Sequence, residues 1–577
     1  MADQSATTES RKKMNRRTVL ARTAGLAGGA AAWIALPFGK SSARGQLETA
    51  EGGSGPAART ARRLVTPNYR PPVVEVEAGK LRGFRDGSTT TFLGIPYGEA
   101  ERFELPSPVR PWMGVKDAQA WGPVCPIPDL TSPGNDEFVF PHRYWLQNEH
   151  CQVLNVWTQS MSRTAKKPVM VWFHGGGFLN GSSMEAYAYT GKNLSEYGDV
   201  VVVSMNHRLN VIGALDLSAY GSEYANSRYT GTADMVAALQ WVHDNIETFG
   251  GDPHNVTIFG QSAGGSEVVR MLHTPAVKGL FHRAIAQSGG GENYAATNPA
   301  EMTHVQQMIA AATLENLNLS GDQIDKLKAV PYPKLLAAGD AALTGVAHKF
   351  GRQRFAWKVI ADDRYILREF CDWASGIPLM AGDTFSEGIG TLQKGTGKND
   401  WTERDIDSHL AAAYGKKKDE VVAEFRTVFP RKRAQDVLYY SAASRTPIKA
   451  LLARKLAVSQ AHAYSYIFAY EYPVNGGITS FHCSEIAFAF HNLSVPEVRV
   501  STGGAPEGYE LQDKVSRAWV NFARTGSPTQ RGLEWKRFTV ADPQTMVFDS
   551  ISQCRNLHDE KLSSLLADQG AYRPQPA

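Results

Sequence analysis

Five cysteines among 577 residues are few, and no two of them stand at the spacing a metal site needs, so a zinc or iron–sulfur module is excluded. A phosphate-binding loop and a dinucleotide fingerprint are also missing, which removes the nucleotide-driven enzyme classes. Charge of one sign is scarce: 61 Lys and Arg face 57 Asp and Glu. The first 43 residues hold seven of the basic and two of the acidic groups, which leaves 54 against 55 in the remainder. A body so close to neutral offers no basic face to nucleic acid or to an anionic membrane. Internal repeats are absent. The small, mildly apolar stretch from Ala24 to Phe38 is interrupted by Gly25, Gly28, Gly29 and Pro37 and is too short to span a bilayer comfortably.

What remains is ample material for a core, since 42% of residues are hydrophobic and 20% charged. Ahead of that body stands a leader. Its basic segment ends in Asn15-Arg16-Arg17-Thr18-Val19-Leu20, and with the apolar stretch and Ser41-Ser42-Ala43 it reads as a twin-arginine export signal over residues 1–43, cut after Ala43. The expected location is periplasmic or secreted, with a retained N-terminal anchor as the alternative and no stable membrane insertion after cleavage. Residues 44–72, with Glu51-Gly52-Gly53-Ser54-Gly55-Pro56 and scattered arginines, read as a flexible linker, and 73–577 as a single domain.

Within that domain, Gly260-Gln261-Ser262-Ala263-Gly264 lies between the apolar run Val256-Thr257-Ile258-Phe259 and a helix-compatible stretch reaching Leu272. This is the pattern of a nucleophile elbow, a sharp strand-to-helix turn in which flanking glycines remove colliding side chains and expose the serine hydroxyl at a helix N-terminus. Upstream, Val169-Met170-Val171-Trp172-Phe173 runs into His174-Gly175-Gly176-Gly177-Phe178. Consecutive glycines there let bare N–H groups approach an oxyanion. Apolar runs at Val200 to Val203, Val256 to Phe259 and Ala284 to Ala286, with helical spacing from Thr232 to Phe249, predict a largely parallel sheet buried on both faces by helices.

These motifs belong to a longer series: Phe92-Leu93-Gly94-Ile95-Pro96-Tyr97, Asn206-His207-Arg208-Leu209, Ala238 to Val242, Phe249-Gly250-Gly251-Asp252-Pro253, Gln287-Ser288-Gly289 and Thr525-Gly526-Ser527-Pro528. From about Val73 to Asp549 the chain resembles the type-B carboxylesterases of the α/β-hydrolase fold, the group that includes para-nitrobenzyl esterases and cholinesterases. The resemblance implies a large, mostly parallel sheet with cap- or gorge-forming insertions and a serine esterase without a cofactor. A serine hydroxyl needs a histidine to take its proton and an acid to orient that histidine, and this fold orders them Ser, acid, His. His482, in Ser480-Phe481-His482-Cys483-Ser484-Glu485, resembles the family's catalytic-histidine block; His462 and His491 fit packing roles. Glu387, before Gly388, resembles the family's acid, and Asp383 is its rival. By the same carry-over the oxyanion donors are the N–H groups of Gly176, Gly177 and Ala263. Ser288 and Glu485 are supporting residues that steady the elbow and orient His482, and Cys125 and Cys151 form a disulfide.

Three positions depart from the family. Cys483 stands where glycine is usual, His207 where tyrosine is common, and Gln261 replaces the glutamate of cholinesterases, which disfavours a quaternary-ammonium substrate. The expected function is hydrolysis of small to medium carboxylic esters through an acyl-enzyme. A lipase acting on long chains, and an inactive cholinesterase-like binding protein, are the rivals. Residues 290–376, with Phe350, Phe355, Trp357 and Tyr365, are expected to supply much of the cap, those rings serving the core more than the pocket.

Overall fold

The computed structural model describes residues 70–128, 137–296, 298–387, 397–458, 461–474, 476–556 and 559–567, all within one unit spanning Val65–Ala577. The expected leader, and the linker up to residue 69, lie outside the described residues.

Apolar runs without polar interruption become the centre of a sheet, because β-branched and aromatic residues pack on a pleated surface and a strand covered on both faces has no solvent side. Among the described residues the sheet has eleven strands. Its middle is parallel, in the order Thr545–Phe548, Ala463–Phe468, Leu379–Thr384, Arg283–Gln287, Gly251–Gln261, Lys167–Phe173 and Val201–Met205. Antiparallel strands close the two edges: Gln553–Arg555 on one side, and Val153–Thr158, Thr89–Pro96 and Phe84–Asp86 on the other. A separate three-stranded sheet holds Val73–Val76, Gly79–Arg82 and Val115–Asp117.

Alternation along each strand sorts side chains into two layers. Val169, Val171 and Phe173 join Val201, Val203, Val256 and Ile258 on one face, covered by the helix Thr230–Asn245 through Met235, Leu239 and Val242 and by Ala263–Met271 through Val268, Val269 and Met271. Met170, Trp172, Val202, Phe259 and Ile285 face the other way and meet the helix Pro506–Thr525 through Leu511, Val515, Trp519 and Phe522. That helix is bounded by Pro506 at its first turn and by Gly526, which takes φ +79° and returns its N–H to Phe522 O. Each fully buried Leu, Val or Phe in these layers contributes about 1.5–3 kcal/mol. Trp519 does more than fill space, for its indole N–H donates to Gln287 Oε1 at 3.1 Å. Truncation to alanine would cost about 3–5 kcal/mol and leave that oxygen unpaired.

The insertion between the fourth and fifth of these parallel strands in chain order, Arg283–Gln287 and Leu379–Thr384, folds as a helical layer. Pro299–Asn316 and Tyr332–Lys349 pack through Ile309, Leu314, Leu335 and Leu343, and Trp357 and Ile366 are buried with them. Among the described residues no helix is long and apolar enough to cross a membrane.

Candidate active site

Five neighbouring parallel strands deliver their carboxyl ends to one place, where open α/β sheets present their functional residues. Ser262 follows Gly251–Gln261 directly and starts the helix Ala263–Met271, with φ 58° and ψ −123°. Such a backbone costs about 1–3 kcal/mol for a non-glycine residue. The surroundings hold it there: Ser262 N donates to Gln287 O at 2.8 Å, and Ser266 N returns to Ser262 O at 3.1 Å. Strand and helix can meet this closely because a Cβ on Gly264 would lie 2.2 Å from Phe173 O and one on Gly260 would lie 2.5 Å from Gly264 O.

The neighbouring strand Lys167–Phe173 ends at His174. Beyond it Gly176 takes φ +106° and folds the chain back, accepting from Leu179 N at 3.1 Å and Asn180 N at 2.9 Å. Among the described residues the N–H groups of Gly176, Gly177 and Ala263 donate to no loop or turn carbonyl.

Glu387 lies just past Leu379–Thr384 and is tied on every side. One carboxyl oxygen, Oε1, accepts from Ser288 Oγ and from Thr384 N, both at 2.8 Å; Glu387 N donates to Ser441 Oγ at 2.8 Å; Oε2 accepts from His482 Nδ1. Burial pushes this carboxyl up, but His482 and the two donors outweigh it and hold the group below the usual glutamate range. For His482 the balance is reversed: burial pulls it down, Glu387 and then Glu485 pull it up, and the net is above the ordinary 6.5. Asp383 is elsewhere engaged, fully buried with Oδ1 2.6 Å from Arg445 Nη1. It stabilises the strand end and does not touch the histidine.

Ser262 and His482 line one cavity of about 410 Å³ together with Gly176 and Gly177. Among the described residues no hydrogen bond joins the serine to the histidine. The imidazole Nε2 instead faces Gln261 Nε2 at 3.3 Å. A depression of about 490 Å³ bounded by Arg102, Glu149 and Tyr332 is larger, yet it brings together no nucleophile and base.

A model of the carboxylesterase family matches residues 70–564. The chain belongs to the carboxylesterase family. It is 32% identical over 519 residues to the para-nitrobenzyl esterase of Bacillus subtilis strain 168, which covers 86% of this chain and 99% of that one. The phenmedipham hydrolase of Pseudarthrobacter oxydans is 29% identical over 82% of this chain and 94% of its own length. Among solved structures, an esterase of Clostridium hathewayi described as hydrolysing aliphatic aromatic polyesters superposes with a TM-score of 0.79 at 40% identity, covering 87% of this chain and 98% of its own. The protein is a carboxylic-ester hydrolase with the α/β-hydrolase fold.

Several features of this carboxylesterase differ from the sequence-based expectation. Ser288 Oγ donates to Glu387, and it is Gln287 O that accepts from Ser262 N in the elbow. Glu485 makes its hydrogen bond to Gln287 Nε2 at 3.2 Å rather than to His482, and burial, with Glu387 beside it, lifts its carboxyl to about 7. The expected Cys125–Cys151 bridge is not formed. Both are buried neighbouring thiols, and Cys125 Sγ accepts from Leu209 N at 3.2 Å and lies 3.6 Å from Pro126 O. Burial and the adjacent Cys125 hold the Cys151 thiol far above its ordinary range, which disfavours its thiolate.

The pocket walls also come from elsewhere than the 290–376 insertion. Phe140, Tyr144 and Trp145 line the cavity, whereas Trp357, Phe355 and Tyr365 join the helical layer. Phe350 is 42% exposed and packs against Phe355. Cys483 explains its own rarity: it takes φ +79°, where a glycine is natural, and its Sγ donates to Gln261 Oε1 at 3.3 Å. Residue types gave no signal for Gln261, Thr384 and Ser441, whose contacts exist only after folding.

Proposed function

We propose that this carboxylesterase works by a Ser262–His482–Glu387 triad in two acyl-transfer steps. His482 Nε2 takes the Ser262 proton as Oγ attacks the ester carbonyl, and the N–H groups of Gly176, Gly177 and Ala263 receive the oxyanion. The imidazolium, stabilised by Glu387, then gives its proton to the leaving alcohol, and water activated by the same histidine releases the acid. Each oxyanion donor is worth about 2.7–4 kcal/mol of transition-state stabilisation. The observation that carries the reading is the Glu387–His482 contact opening into the same cavity as Ser262 and the glycine loop. No cofactor enters the scheme.

The substrates we propose are small to medium esters, with aromatic groups accepted against Tyr144 and Trp145, which are 57% and 45% exposed at the cavity wall. The polyester activity ascribed to the Clostridium hathewayi esterase supports that preference. The rest of the proposal concerns the mature form: export by the 1–43 leader, a flexible linker to residue 72, one domain from 73 to 577, and closure of the Cys125–Cys151 bridge in an oxidising compartment.

Hydrolysis of para-nitrophenyl esters from acetate to palmitate by residues 44–577, beside Ser262→Ala, tests the reading. Activity on the shorter esters that vanishes in the variant is expected. A preference for palmitate with activation above its solubility points to a lipase, and a folded protein inactive on every ester points to a binding role.

A further inference from the structure

Two separate segments have to supply the oxyanion donors: the loop of Gly176 and Gly177, and the N-terminus of the helix that begins at Ala263. Their spacing has to hold to within about 0.5 Å, since donors fixed in advance at the oxyanion position are what lower the barrier. A buried relay joins the two. His174, at the head of the loop, places its ring face to face with His207, with centroids 4.7 Å apart and planes 24° from parallel. His207 Nε2 in turn lies 3.2 Å from Glu267 Oε1, and Glu267 belongs to the helix Ala263–Met271. All three side chains are 3% exposed or less.

His207 is itself firmly held. The residue before it, Asn206, accepts from Ser183 N at 2.7 Å through its side chain and from Tyr97 Oη at 2.6 Å through its carbonyl. The residue after it, Arg208, grips Asp234 at 2.7 and 2.9 Å. On the far side the loop is pressed against the elbow, for a Cβ on Gly175 would lie 3.0 Å from Gln261 O.

We propose that His207, anchored by Glu267, is a positioning residue of the oxyanion hole. Its stack on His174 fixes the loop donors relative to the helix donor. This rests on the assignment of those donors under the function proposed above. The electrostatics agree: burial, then the adjacent His207, lower His174 to about 3, so it stacks as a neutral ring. Burial raises the Glu267 carboxyl, but His207 and Arg270 outweigh it and keep it low, as an anchor requires.

The test compares kcat, KM and inhibition by a trifluoromethyl ketone, whose hemiketal adduct with serine carries the oxyanion. For His207→Ala, kcat falls about tenfold or more with KM within about twofold, and the ketone weakens by the same factor, since donors displaced by a fraction of an ångström are felt in the transition state more than in the ground state. His207→Phe restores the ring and recovers kcat to within about threefold. Should His207→Ala fail to fold because Glu267 loses its nearer partner, the apolar pair His207→Leu with Glu267→Met removes both ring and charge and shows the same kcat loss. The proposal is overturned by any folded ringless variant with kcat and ketone affinity within twofold of the parent, or by a His207→Phe protein as impaired as His207→Ala. Hydrolysis by the parent chain that survives Ser262→Ala sinks the site assignment itself, and this inference with it.

Discussion

The floor of the site is made where side chains are missing, and its acid–base arm where polar partners are crowded. At the floor, Ser262 and the oxyanion loop approach one another only because positions 260, 264 and 176 carry no Cβ; a single methyl would strike a carbonyl at 2.5, 2.2 or 2.1 Å. On the arm, Glu387 is held by Thr384, Ser288, Ser441 and His482, four groups from four stretches of chain. Steric requirements fix the first region, and hydrogen bonds and charge fix the second. A change at the floor should therefore act through geometry and show no pH signature, while a change on the arm should show one.

The largest effect belongs to Ser262→Ala, which removes the nucleophile and should lower kcat about 10⁴-fold or more while the fold remains. Next come two carboxylates four residues apart. Glu387→Gln should cost about 10³–10⁴-fold in kcat with modest loss of stability, because the histidine loses its orienting charge. Asp383→Asn should leave kcat within about threefold but cost about 1–3 kcal/mol of stability, since the buried Arg445 loses one of its two carboxylate partners and keeps Asp559 at 3.0 Å. Parallel kinetics and denaturant melts decide the matter. Exchanged outcomes would make Asp383 the acid and remove the arm as described.

The same contrast governs what could be read from the amino-acid order. A backbone that tolerates no Cβ leaves a trace in residue type, so Gly260, Gly264 and the loop Gly175 to Gly177 announced the floor, as uninterrupted apolar runs announced the sheet. A carboxylate held by partners leaves no such trace. Asp383 is the penultimate residue of the strand Leu379–Thr384 and Glu387 lies just past it, and the difference between them is Arg445, 62 residues on from Asp383, and Ser441, 54 residues on from Glu387. The pocket wall at Phe140 to Trp145 was not legible, for an irregular surface loop follows no period. The rings of 350–365 read as serving the core more than the pocket, and Phe355, Trp357 and Tyr365 do join the helical layer. The thiol state of Cys125 and Cys151 is set by surroundings and redox conditions, not by spacing.

A smaller effect sharpens the electrostatic side. His482 must be neutral to act as base, so kcat/KM falls as pH drops through its pKa in the free enzyme. Although burial alone would lower that pKa, Glu387 raises it above 6.5, which puts the acid limb above the ordinary histidine position. In Glu387→Gln the raising charge is gone and the limb of the residual activity should move to lower pH; in Glu485→Gln it should move the same way by less, since Glu485 is the weaker of the two influences. A limb that stays in place in Glu387→Gln would mean that a group other than His482 titrates.

The smallest effect lies at Cys483, where the arm borrows the floor's device without the floor's residue. Its φ of +79° penalises any side chain by about 1 kcal/mol, against which stands the contact of its sulfur to Gln261 Oε1. Cys483→Gly should then raise stability by about 0.5–1 kcal/mol, the relief of strain exceeding the added freedom of the unfolded chain. Cys483→Ala keeps the strain and loses the sulfur, so it should be less stable than Cys483→Gly by about 1 kcal/mol. Both should hydrolyse para-nitrophenyl butyrate within about twofold of the parent, because His482 is oriented by Glu387 and not by its neighbour's side chain. If melting places the alanine variant level with the glycine one, backbone strain is not what sets Cys483 apart, and its contact with Gln261 has to carry the explanation.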